Sequence, residues 1–152
     1  MRRDYFTLDV TTGAGAGEKP VVTVRYDGPT GALEDRLTDE AGAPLGARQV
    51  DVSFRLLDGD MDDDASGVFA LSNRITGDFL LECNAEAGPI RRLVEAAREY
   101  GKAAGAADGR FRVRVFANDR EALDHEKSTF LVYDTDGDLL RGHSLIPGNV
   151  EL

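Results

Sequence analysis

A chain of 152 residues, 41% of them hydrophobic, fits a single α+β domain spanning 1–152 and is long enough to bury a real core. No apolar run approaches the roughly 18 residues that a membrane span needs. The formal net charge of −10, from 28 acids against 18 bases, argues against nucleic acid as the ordinary partner, and the lone Cys83 excludes an internal disulfide or a cysteine cage for zinc.

The kind of charge qualifies that reading. Aspartate outnumbers glutamate 18 to 10, and arginine outnumbers lysine 15 to 3. Scarce lysine with aspartate spread along the chain is the composition expected of a protein kept soluble in concentrated salt. At about 1 M salt the Debye length is only about 3 Å, so self-repulsion is screened and charge says little about partners. The opening Met-Arg-Arg-Asp-Tyr leads into no apolar signal region, so a cytoplasmic location is expected.

Tyr5 to Val10 alternates with Phe6, Leu8 and Val10 on one side, which predicts a strand. The following TTGAGAGEKP offers Gly13, Gly15 and Gly17, but the third glycine of a dinucleotide fingerprint would fall at Glu18 and no helix follows. It reads as a loop. Val21 to Tyr26 is a second strand, Asp27-Gly28-Pro29 a turn, and Gly31 to Leu37 a short helix with Leu33 and Leu37 on one side. Residues 38–48 form a loop, and Gln49 to Leu56 is a third strand with Val50, Val52, Phe54 and Leu56 inward.

The acidic loop that follows carries Asp58, Asp60, Asp62, Asp63 and Asp64, the best local candidate for a hard cation. An EF-hand template laid from Asp58 puts Asp63 where glycine is needed and Phe69 where a bidentate glutamate is needed, so no metal is expected there. Val68 to Asn73 and Asp78 to Cys83 predict a hairpin, with Phe79, Leu81 and Cys83 on one inward side.

The strongest helix runs from Gly88 as N-cap, with Pro89 in the first helical position, to Gly105 as a left-handed stop. Ile90, Leu93, Val94, Ala97 and Tyr100 make its apolar side; Arg91, Arg92, Glu95, Arg98, Glu99 and Lys102 make the other, with ion pairs expected three residues apart. Burial of Ile90, Leu93 and Val94, roughly 1.5–3 kcal/mol each before entropy, outweighs those pairs at roughly 0.2–0.5. The helix therefore exists because it packs on a sheet.

Arg110 to Phe116 alternates Phe111, Val113 and Val115 against Arg110, Arg112 and Arg114. The arginine stripe, with Arg91 and Arg92, is the candidate site for an anionic ligand or nucleic acid, although it lacks the aromatic platforms that single strands favour. Pairing of these arginines with carboxylates on neighbouring strands is the competing expectation. Asn118-Asp119 turns the chain, Glu121 to Lys127 is ambiguous, and Ser128 to Tyr133 with Asp138 to Gly142 flank Asp136-Gly137, a type I′ hairpin signal. The tail from His143 reads as extended.

Four stretches, RRDYFTLDV, SGVFALSNRITGDFLLECNA, EAAREYG and FLVYDTDGDLLRGHSLIP, resemble an uncharacterised family of small haloarchaeal proteins of unknown function. The Gly-rich loop departs from that pattern. The resemblance implies a cytoplasmic protein of a salt-in archaeon and supplies no catalytic residue or ligand.

The element order suggests a largely antiparallel sheet with the main helix packed across it, in a ββαβ arrangement repeated twice; a β-sandwich or partly open barrel with a helix is the alternative. No catalytic constellation assembles. His125 sits between Asp124 and Glu126, which should raise its pKa on a solvated surface, and His143 lies in an unlike context. No cofactor motif is present. The expected function is a non-enzymatic interaction module, with a protein partner or a second copy engaging a sheet face, a sheet edge or the apolar segment Ser144 to Pro147. The alternative is anion or nucleic-acid binding through the arginine stripe.

Overall fold

The computed structural model describes residues 2–12, 18–105 and 110–146. The glycines at 13, 15 and 17, and Pro147-Gly148, lie outside these residues. Over the described residues the fold is α+β, with two mixed four-stranded sheets, one main helix and no closed barrel.

The first sheet contains β1 (Phe6–Thr11), β2 (Val21–Tyr26), β6 (Phe111–Ala117) and β7 (Arg120–Lys127), in that spatial order. The second contains β5 (Phe79–Glu86), β4 (Ser66–Asn73), β3 (Val50–Leu56) and β8 (Leu131–Tyr133). Alternation of apolar and polar residues places one side of each sheet inward. Val22, Val24, Phe111, Val113 and Val115 face Val52, Phe54, Phe69, Leu81 and Val132 across one continuous core. Phe130, entering β8, touches both sides, 5.7 Å from Phe111 and 6.0 Å from Phe69 between ring centroids.

The strands thus divide between two sheets instead of forming one. Most pairings are antiparallel, but β2 with β6 and β3 with β8 are parallel. The ββαβ order does occur twice, counting α1 (Ala32–Arg36) and α2 (Ala87–Ala103). The two units do not repeat in space: β3 joins β4, the first strand of the second unit's hairpin, antiparallel, whereas β6 joins β2, the second strand of the first unit's hairpin, in parallel.

Helix α2 buries Ile90, Leu93, Val94 and Ala97, as its apolar rhythm requires. It begins one residue before the expected cap: Glu86 is the N-cap, and Pro89 is the third helical residue, still in the turn whose N–H groups have no helical partner. Gly105 ends it at φ +75°. Arg98 leaves the expected intrahelical pairing and donates to the Gly142 and Ser144 carbonyls at 3.0 and 2.8 Å, binding the helix to the closing segment.

Three further local expectations are corrected. Leu80 is an extra residue between the pairs Leu71–Leu81 and Ser72–Phe79, and this bulge turns Phe79 outward. The turn at Asp136-Gly137 has only Gly137 at positive φ, with its N–H on the Asp134 carbonyl and Asp134 N–H on the Asp138 carbonyl, so it is a type I turn with a glycine bulge. Ser144 and Leu145 are buried, Leu145 exchanging backbone hydrogen bonds with Phe130; these two residues of the closing segment are core, not docking surface.

Candidate functional site

Residues 120–127, ambiguous in sequence, form β7 and decide the character of the outer side of the first sheet. Parity puts Glu121, Asp124 and Glu126 outward beside Arg112 and Arg114. Arg112 donates two hydrogen bonds to the Asp124 carboxylate, which holds that carboxyl below its usual range. Arg114 reaches Glu121 at 2.6 Å, and Lys19 pairs with Glu126. The pairing expected of the stripe therefore holds at two of its three arginines. Arg110 stands exposed just before β6, and its backbone N–H bonds the Ala97 carbonyl.

The structure adds two residues to this surface. Arg25 of β2 lies opposite Phe116 of β6, and its guanidinium sits 5.0 Å from the ring centroid; Arg114 sits 4.9 Å from the same ring. Parity alone marks both as outward, but the parallel register that joins them is long-range. Phe116 supplies the aromatic surface that the stripe lacked in sequence, half-covered by two cations.

Arg91 is separate from the stripe. It donates to Asp63 of the acidic loop at 2.7 Å, while Arg92 is exposed on α2. The same loop docks on the helix start: the Gly88 N–H bonds the Asp63 carbonyl at 3.0 Å and the Ala87 N–H bonds the Ala65 carbonyl at 2.9 Å. The acidic loop is thus a backbone cap for α2, with its charges near the positive end of the helix. Asp58, Asp60, Asp62, Asp63 and Asp64 form no cluster of three converging carboxylates. Among the described residues such convergence occurs at Asp134, Asp136 and Asp138, with ligand oxygens within 4.8 Å. There, Asp134 Oδ1 already accepts the backbone N–H groups of Asp136 and Asp138.

Cys83 is fully buried, and desolvation pushes its thiol up to about 11. His125 departs from expectation. Its side chain lies on the inner side of β7, opposite Val113, where burial and the neighbouring Lys127 lower its pKa against the smaller raising effects of Asp124 and the Leu45 backbone. The flanking carboxylates do not govern it because its side chain points the other way.

The second sheet's outer side is different. Arg55 and Glu82 join at 2.8 Å across β4, covering Val68 and Ala70, and Phe79 lies 5.6 Å from the Arg55 guanidinium. Beside them runs a groove of about 630 Å³ where β1 passes β5. Leu8, Leu57, Ala85 and Pro89 make its apolar walls, with Asn84 and Glu86 on the rim. Leu57 is half-exposed at the mouth. A polar cleft of about 650 Å³, containing Arg2, Arg3 and Arg55, shares Leu57 and Asn84 with it. Sequence reading missed this groove because its walls come from three elements, β1, β5 and α2, and the bend after β3, each carrying an unremarkable apolar residue.

A family model described as a family of unknown function (DUF5793) matches residues 1–152, and the chain belongs to that family. No curated protein and no solved structure matches the chain. Among the described residues no helix is long and apolar enough to cross a membrane.

Proposed function

We propose that the protein is a non-enzymatic interaction module that receives a segment of a protein partner, or of a second copy, in the groove between β1 and β5. The supporting observation is the half-exposed Leu57 at the mouth of an apolar groove, which would bury it on binding. The outer side of the first sheet instead satisfies most of its charge internally. The aspartate-rich, lysine-poor composition supports placing this module in the cytoplasm of a salt-in haloarchaeon.

Affinity capture and light scattering in molar KCl test the reading together. Leu57→Asp should abolish the partner or the self-association seen with the wild type, and Arg112→Gln with Arg114→Gln should leave it intact. Equal binding by all variants refutes the groove.

Arg25 favours a second reading, binding of an anionic or nucleic-acid ligand on the first sheet. It makes no ion pair among the described residues and lies beside an aromatic ring. Arg110 would extend that surface. Fluorescence anisotropy with single-stranded RNA at molar salt, comparing wild type with Arg25→Gln and with Arg110, Arg112 and Arg114 all changed to Gln, decides it. No binding, or binding unchanged in both variants, removes this reading.

A further inference from the structure

We infer that the segment Thr38–Gln49 is a strap held over the inner side of β7 by Lys127 and released when His125 takes a proton. The strap carries Leu45 into the core, and the Leu45 N–H bonds the Leu37 carbonyl at 2.9 Å. Lys127 donates from Nζ to the carbonyls of Ala47 and Val50, both at 2.6 Å, joining the edge of the first sheet to the beginning of β3 in the second.

His125 and Lys127 are two residues apart on one strand and so share its inner side. His125 Nδ1 is buried without a hydrogen-bond partner, and its ring interacts with the Leu45 backbone. The charged groups around the pair offer little relief to a second cation. Asp124 faces outward, bound to Arg112. Asp51, which acts on Lys127, is bound to Arg74, itself a cation acting on the same lysine. The acceptors facing the pair from the strap are backbone carbonyls, and Lys127 uses two of them. An imidazolium at His125 would stand beside an ammonium in a half-buried seam with no carboxylate to spare. Opening the strap lets water solvate both.

The direction follows from linkage. Burial and Lys127 depress the closed-state pKa of His125, so an open strap binds the proton more readily. The closed strap is fully favoured above the open-state value of about 6.5 and loses ground as pH falls below it. Opening should grow by up to about tenfold per pH unit between the open-state and closed-state values.

Hydrogen exchange at pH 7.5 and 5, corrected for intrinsic rates, tests this on the full chain, with imidazole NMR titration alongside. The Leu45 and Gly46 amides should lose protection on acidification in step with His125 titration, while β6 amides stay protected. In His125→Gln the two amides should be indifferent to pH. Acid-induced exchange that persists in this variant, or wild-type exchange that does not follow the His125 titration, overturns the inference. The second comparison needs only the wild-type protein and so stands if the variant fails to fold.

Discussion

Asp63 holds the start of α2 with its backbone and its side chain at once: its carbonyl accepts the Gly88 N–H at 3.0 Å, and its carboxylate accepts from Arg91 at 2.7 Å. Two stretches that the sequence nominates separately, an acidic loop and a basic helix face, meet there as parts of one cap. The backbone approach is the more consequential half, because a Cβ on Gly88 would stand 2.8 Å from the Asp63 carbonyl oxygen.

Gly88→Ala should therefore destabilise the protein by roughly 1–3 kcal/mol, although alanine in a helix is ordinarily favoured over glycine. Asp63→Asn should cost no more than about 1 kcal/mol, since the Arg91 pair is largely exposed. Urea unfolding of both variants at fixed high salt checks the order. A stabilising Gly88→Ala would show that the loop is not packed as described.

Acid should weaken the first sheet through Asp124. Its carboxyl is held below the ordinary range chiefly by the Arg112 hydrogen bonds, so the folded state binds the proton less readily than the unfolded chain. The resulting stability is fully present above the unfolded value near 3.9 and is lost as pH falls through the lower folded value. Asp124→Asn should lower stability at neutral pH and flatten the acid limb of a pH series of urea midpoints; an unchanged limb contradicts this.

Lys127→Met should cost about 1–3 kcal/mol by stripping two carbonyls of their shared donor, despite the easier burial of methionine. Thermal or urea unfolding measures it. In the same variant, loss of the neighbouring cation should raise the His125 pKa, visible in its imidazole NMR titration.

Lowered salt should unfold the chain if its charge is an adaptation to concentrated salt. At about 50 mM the screening length reaches roughly 14 Å, and the excess of acids repels itself. Circular dichroism should report loss of structure on dilution. A full native spectrum at that salt refutes the halophilic reading.

The sequence revealed those elements whose own residues carry the alternation. Val22, Val24 and Tyr26, or Val50, Val52 and Phe54, announce their inward sides unaided. The carboxylate partners of Arg112 and Arg114 were likewise anticipated as a class. The identity of β7 was hidden because its inner positions include His125 and Lys127, which stay inside only under the strap. The Arg25–Phe116 contact and the division into two sheets depend on parallel pairings between distant strands, and the groove walls on the packing of β1 against β5; local periodicity carries no information about either. A single bulge at Leu80 was enough to reverse Phe79.

Site-specific photo-crosslinking in the native cell tests the interaction account most directly. A benzophenone side chain placed at Leu57, at the mouth of the groove, should give a discrete adduct with one partner or with a second copy. The same group at Thr23, on the outer side of the first sheet, should give none. An adduct from position 23 with nothing from position 57 would contradict the account and move the binding surface to the arginine-bearing sheet.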